Sequence, residues 1–223
     1  MEIKVESIDK FNCKDWLVNK HYAKRVPPII YSFGLYIDNV LNGVCTFGMP
    51  ARCFNNGYAC FGNDFKINTI ELNRLVVNDG LPKNTLSFFV SKCLNMLPKP
   101  CCVISYADPN NGHQGYIYQA TNWIYTGINS DYIVKFYDEN MKEIHARSVV
   151  SKYGTADRKE VLEKFNITSK KETSKHRYFK FLGSRKDIKN MYKNLKYEIK
   201  VYPKGDNKRY DASYSPNIQV KLF

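Results

Sequence analysis

Cys102-Val103-Ile104-Ser105-Tyr106-Ala107-Asp108-Pro109-Asn110-Asn111-Gly112-His113-Gln114-Gly115-Tyr116-Ile117-Tyr118 is the stretch on which the reading of this chain turns. An apolar strand ends on an acid and passes through an Asp-Pro-Asn-Asn-Gly turn. It then restarts as a helix over 113–121 that carries His113 and Tyr118. Asp, Pro, Asn and Gly close tight turns by local side-chain hydrogen bonds and by their tolerance of unusual backbone angles. A strand that delivers a carboxylate at its C-terminal end, with a helix directly after it, is where open α/β sheets place ligands and chemistry. Ser105, Asp108, His113 and Tyr118 are the groups of catalytic type in this stretch.

Working outward, 67–77 reads as a long, largely apolar strand and 83–97 as a helix, linked by Asn78-Asp79-Gly80-Leu81-Pro82. The runs 31–37 and 41–48 read as a hairpin turning at Asp38-Asn39-Val40. Residues 3–8 alternate as a strand, and Asp9 caps a helix over 10–20 that Pro27-Pro28 closes off. Downstream, 123–127, 132–137 and 143–150 read as strands. Asp157 caps a helix to 165, 167–175 is a polar loop, 178–182 a strand, 184–195 a Ser184-capped helix and 197–202 a strand. The sum is an α/β (α+β mixed sheet) fold in one domain over 1–202, whose C-terminal half, 141–202, is basic. Residues 203–223 form a tail.

Composition narrows the class. A chain of 223 residues, 43% hydrophobic and 25% charged, supports a full core and excludes global disorder. Seven cysteines, an odd number with an adjacent pair and no Cys-x-x-Cys, exclude a disulfide framework and a zinc ribbon. Most sit in apolar runs and read as buried thiols in a reducing cytoplasm. No segment approaches the length of a membrane-spanning apolar run, so no membrane partner is expected. The net charge of +13 is uneven. Residues 1–140 hold 13 Lys and Arg against 12 Asp and Glu, and the other 83 residues hold 21 against 9. A near-neutral front joined to a basic back, with Lys and Arg interleaved with Tyr and Phe, points to a polyanion partner. The runs containing Lys175, Arg177, Arg185 and Lys186 are the expected phosphate contacts.

Individual residues carry competing readings. Glu71 and Arg74 lie three apart on one strand, so they share a face only across a β-bulge. An Arg on a buried strand is costly unless paired, and its planar fork suits a carboxylate or phosphate. Asp108 either caps its turn or orients a base. His113 beside it forms a candidate His–Asp pair, and His21 ends a helix where a cation is favoured. Ser87 sits where it can cap a helix or touch an anion. No P-loop, HExxH or nucleophilic triad is present, and His21, His113 and Asp108 show no metal-ligand spacing. Asp108-Pro109-Asn110-Asn111 does not fit the Asp/Asn-Pro-Pro-Tyr/Phe tetrad of adenine-N6 methyltransferases.

Three stretches taken together are Lys20-His21-Tyr22, the run from Glu71 to Phe89, and the run from Ser105 to Trp123. With Lys175-His176-Arg177-Tyr178-Phe179 and Tyr202-Pro203-Lys204, this ordered set resembles the Mom family of phage DNA-modification proteins over residues 20–205. The resemblance implies a GNAT-like acyltransferase core and a transferase that converts adenine in double-stranded DNA to an N6-carbamoylmethyl derivative, which blocks restriction. It implies Tyr22, Arg74, Asp108 and Tyr118 as catalytic residues. It places His21, Glu71, Ser87, Ser105 and His113 around substrate or donor. Double-stranded DNA is the implied partner, in the host cytoplasm. The donor is unknown, with an acyl-CoA or another acyl or aminoacyl donor suggested by fold analogy. The sequence leaves the oligomeric state open, a homodimer among the forms available. One departure matters: the link at 78–84 has one glycine and an acid where GNAT proteins carry a Gly-rich pyrophosphate loop. The rival readings are an ordinary GNAT N-acyltransferase acting on a protein or small-molecule amine, and a non-enzymatic nucleic-acid-binding protein.

Overall fold

The structure, a computed structural model, describes residues 2–130, 132–144, 154, 158–164 and 167–205. Its organising element is the hairpin of β2 (Tyr31–Ile37) and β3 (Val40–Gly48). Asp38 and Asn39 turn it with φ of 48° and 66°, the paired left-handed geometry that matches the twist of two adjacent strands. β1 (Ile3–Ser7) pairs with β2, and β4 (Thr69–Val77) pairs with β3, both antiparallel. After β4 come the link, helix α2 (Thr85–Met96) and β5 (Cys101–Ala107). β5 lies parallel to β4, as a strand–helix–strand crossover dictates. β6 (Ile124–Ile128) and β10 (His176–Leu182) complete a seven-stranded mixed sheet in the order β1-β2-β3-β4-β5-β10-β6.

Apolar clusters cover both faces. One face holds Phe33, Leu35, Phe47, Leu72, Phe89, Val90, Leu94, Tyr118 and Trp123, beneath α2 and α3 (Tyr116–Ala120). The other holds Phe54, Phe61, Ile104, Phe179, Phe181 and Met191, beneath the one-turn α1 (Tyr58–Phe61) and α5 (Arg185–Asn194). Ser184 and Asp187 form a reciprocal capping box at the start of α5.

The chain divides into two compact units, one of 1–127 with 176–223 and one of 128–175. Within the second, β7 (Tyr132–Tyr137) is flanked by β8 (Glu143–Ile144) and β9 (Thr168–Thr173), all antiparallel. Its helix α4 spans Arg158–Lys164, and Ile167 packs with Phe136, Ile144 and Leu162.

Three local expectations change, and one helix is wound unevenly. The polar loop at 167–175 is in fact a strand, held by cross-strand pairs rather than by burial. Lys135 bridges Glu143 at 3.2 Å and Glu172 at 2.9 Å, and Lys171 lies over the Tyr132 ring at 4.3 Å. The helix expected at 10–20 is present, with Asp9 accepting from Phe11 N–H as its cap, but its ends are wound differently, Lys10–Cys13 tightly and Trp16–Lys20 widely. The second is a wide turn closed by His21 N–H donating to the Trp16 carbonyl. The helix expected from 113 begins at Tyr116, because Gly115 before it is left-handed. Residues 197–202 are not a strand: Lys200 N–H bonds the Tyr125 carbonyl, and no ladder follows. Of the strand expected at 143–150, residues 145–150 lie outside the described residues, as do Asp157 and the tail from 206.

Candidate active site

Parallel pairing of β4 with β5 runs through only three positions, Thr69 to Cys102, Ile70 to Val103 and Glu71 to Ile104. Beyond them the strands part. β4 continues against β3 alone, and β5 against β10 alone, where Ser105, Tyr106 and Ala107 pair with Tyr178, Arg177 and His176. At the point of divergence Ser105 Oγ lies 2.8 Å from the Leu72 carbonyl and 2.8 Å from the Tyr118 hydroxyl. A hydroxyl carries one hydrogen, so Ser105 donates to one of these at a time and is a switchable link between β4 and α3.

β4 carries a bulge at the same place. Thr46 pairs with Arg74 and Phe47 with Leu72, leaving Asn73 without a partner. The core-facing positions show the shift in parity: Ile70 and Leu72 face the same cluster as Leu75 and Val77. A bulge does this by opposing two residues to one. It brings Glu71 and Arg74 to one face, the condition the sequence set for their sharing a site. Asn73 is held on both sides, its Oδ1 accepting from Thr46 Oγ1 at 2.6 Å and its Nδ2 donating to the Pro28 carbonyl at 3.0 Å. Gly48 is required beside it, since a Cβ there runs into the Pro28 carbonyl oxygen.

A cavity of about 600 Å³ opens at this splay. Arg74, Tyr106, His21 and Tyr22 line it, with Leu75, Val77 and Tyr118 from the α2–α3 side, so it is walled from both faces of the sheet. His113, Ser87 and the link 78–84 complete the wall. Six of the expected residues therefore meet here: His21, Tyr22, Arg74, Ser87, His113 and Tyr118. Ser105 is buried behind Tyr118 and Asp108 behind His113, at 1% and 2% exposure. Glu71 lies at the splay, close enough to Tyr106 and Arg74 to perturb both.

The electrostatics assign different states to these groups. Arg74 Nη1 donates to the Asn73 carbonyl at 2.6 Å, but its buried Nε has no acceptor among the described residues. Burial lowers its pKa, with Tyr22 opposing the shift. Burial also lowers the pKa of His113, against the upward pull of Asp108, so the imidazole is neutral at pH 7. Burial raises Tyr118, whose phenol stays protonated. Tyr22 is layered between two histidines, stacked on His21 at 4.4 Å and edge-on to His113 at 5.3 Å. His21 Nδ1 accepts from Ala23 N–H at 3.0 Å. Asp108 Oδ1 accepts from Asn110 N and Nδ2, both at 3.0 Å, so the carboxylate does hold its turn. Ser87 donates to the Asn84 carbonyl at 2.9 Å.

Three residues not singled out from the sequence belong to the site. Asn73 anchors the bulge; its signal is a polar residue that breaks the apolar step from Leu72 to Leu75. Lys20, 2% exposed, reaches Asp79 of the link at 3.7 Å, which ties the His21-Tyr22 segment to the entrance of α2. Tyr106 faces the cavity from the end of β5. The expected phosphate contacts divide. Arg185 and Lys186 are exposed and Lys175 is half-buried. Arg177 is 6% exposed, stacks on Tyr197 at 3.7 Å and donates from Nε to Thr126 Oγ1 at 3.0 Å. Its guanidinium serves the fold rather than the surface.

A buried donor without an acceptor costs about 1–3 kcal/mol. Arg74→Met, which keeps the apolar stem and removes the charge, is therefore expected to raise the melting temperature by about 3 °C. A lower melting temperature in this variant would make the guanidinium a structural group.

Comparison with known proteins identifies the family. A family model described as the Mom protein family matches residues 2–204. A relative named methylcarbamoylase mom, from Escherichia phage Mu, is 26% identical over 214 residues, covering 91% of this chain and 84% of the relative. The chain belongs to the Mom protein family.

Proposed function

We propose that this protein is a DNA-modifying transferase that attaches a carbamoylmethyl group to N6 of adenine in double-stranded phage DNA, protecting it from restriction. The reading follows the name and coverage of the phage Mu relative. The observation that carries it here is the cavity through the β4–β5 splay with the unsatisfied Arg74 guanidinium in its wall. Two parallel strands that part after three pairs, a strand–helix unit on each side and a bulged first strand also support a GNAT-like core.

A duplex hides N6 in the stack, so the adenine is flipped out to reach the cavity. Tyr22 and Tyr106 offer aromatic faces to receive it. Arg74, in the cavity wall, binds the anionic group of the donor, a carboxylate or phosphate. That group is not held by the link, because Asp79 puts a negative charge where a pyrophosphate loop offers backbone N–H groups. A coenzyme A diphosphate therefore does not suit the link as it stands. As N6 bonds to the methylene carbon, the bond from that carbon to the donor's leaving group breaks. The N6 proton passes to the neutral imidazole of His113, and Tyr118 protonates the leaving group, with the Ser105 hydroxyl donating to the Tyr118 oxygen left behind. Asp108 acts through His113 and the turn that presents it.

Nucleosides from plasmid DNA of cells expressing this chain are expected to include deoxyadenosine heavier by one carbamoylmethyl group. Unmodified deoxyadenosine beside abundant folded protein contradicts the proposal.

The role of His113 requires its neutral form. NMR titration of the His113 ring is expected to give a midpoint below the ordinary 6.5. Asp108→Asn keeps an oxygen for the turn but loses the carboxylate's upward pull, so the midpoint falls further. A wild-type midpoint above 6.5 means that Asp108 outweighs burial and the ring is charged at neutral pH, which removes it as the base.

A further inference from the structure

We infer that the exposed stripe of α5 formed by Arg185, Lys186, Lys189 and Lys193 is the surface that grips the backbone of duplex DNA. The inference rests on the proposed function for the identity of the polyanion, and on charge and placement for the surface.

The excess of positive charge is more local than the sequence alone suggested. Residues 128–175 hold ten Lys and Arg against eight Asp and Glu, while residues 176–204 hold nine against two. In the first group charges meet charges: Lys135 pairs with Glu143 and Glu172, and Lys159 with Glu163 at 3.9 Å. In the second group several cations serve the fold. Arg177 stacks on Tyr197, and Lys180 donates to the Thr121 and Asn122 carbonyls at 2.8 and 3.1 Å. Both acids are occupied, Asp187 by the Ser184 cap and Glu198 by Lys200 at 3.7 Å. Arg185, Lys186, Lys189 and Lys193 of α5 are left exposed and without an ion pair among the described residues, as are Lys196 and Lys204 beyond it.

Their spacing is that of a reader of a regular polyanion. Residues at i, i+4 and i+8 share one helix face, and Arg185 to Lys193 spans about 12 Å. That length covers about three base-pair steps at 3.4 Å each. The opposite face is apolar: Met191 is fully buried, with Ile188 and Leu195 against the same cluster. That cluster includes Ile104 and Tyr106, and Tyr106 also lines the cavity. The stripe thus stands on the side of the sheet from which Tyr106 enters the site.

The test is fluorescence anisotropy on two unrelated DNA duplexes across a salt series, with Arg185→Ala/Lys189→Ala/Lys193→Ala. Alanine is the best helix former, so α5 is retained, as circular dichroism will verify. Each neutralised phosphate contributes about 0.9 to the slope of log affinity against log salt. The triple variant is expected to flatten that slope by about 2–3 and to weaken both duplexes equally, by about tenfold or more. Lys142→Ala/Lys159→Ala/Lys170→Ala, which removes three charges from the other unit, leaves affinity and slope unchanged. An unaltered slope in the α5 variant, a control that loses as much, or no duplex binding by the wild-type protein overturns the inference. So does tighter α5-dependent binding to an RNA duplex of the same sequence. Adenine modification measured in parallel separates the two claims. Modification with an unaltered α5 slope leaves the function standing without this surface. An α5-dependent slope without modification leaves the surface without the chemistry.

Discussion

The site depends on one irregularity, the bulge at Asn73. A regular β4 would put Glu71 and Arg74 on opposite faces and send a guanidinium into the apolar layer with Leu72 and Phe47. The extra residue resets the parity, and the polar group that results is held by Thr46 from one side and Pro28 from the other. The same bonds draw the 21–30 segment across the strand and bring His21 and Tyr22 to the cavity. Gly48 makes room for this crossing, so the hairpin, the crossing segment and the splay form one linked arrangement.

Stability and function pull apart at Arg74. A half-buried guanidinium with a buried, unsatisfied Nε is a poor element of a resting fold and a good one for a ligand that brings its own negative charge. Burial keeps His113 and Tyr118 in their neutral forms, while Asp79 and Lys83 of the link also line the cavity. Arg74 is the cation of the wall near the splay. The long-range field of the chain is arranged separately, on α5, where cations stand in water and are screened by salt.

Much of the fold was legible because its signals are local. Asp38-Asn39 names its hairpin, Ser184 with Asp187 names its helix start, and the strand–turn–helix run at 102–118 marks the end of the second parallel strand. His21, Tyr22, Arg74, Ser87, His113 and Tyr118 line one cavity, and their chemical roles belong to the proposed function. The bulge was visible only as a condition on Glu71 and Arg74, because a register shift is decided by the partner strand. β9 was hidden because its stability lies in Lys135, Glu172 and Tyr132 across the ladder, not in its own apolar residues. Arg177 looked like a surface cation because its stacking partner, Tyr197, is distant in the chain. Lys20 stood in the first of the resemblance stretches without a role, and only the fold shows that it is buried against the link.

The central claim is that Arg74 is held by the bulge as an anion receptor facing the cavity. The direct measurement is the side-chain Nε–H signal of Arg74, identified by its absence in Arg74→Met and followed by NMR as inorganic pyrophosphate or acetate is added. The account predicts a saturable shift of this signal, with His113 and Tyr118 responding at the same anion concentration. A signal that stays in place while the anions perturb only the exposed arginines would contradict it.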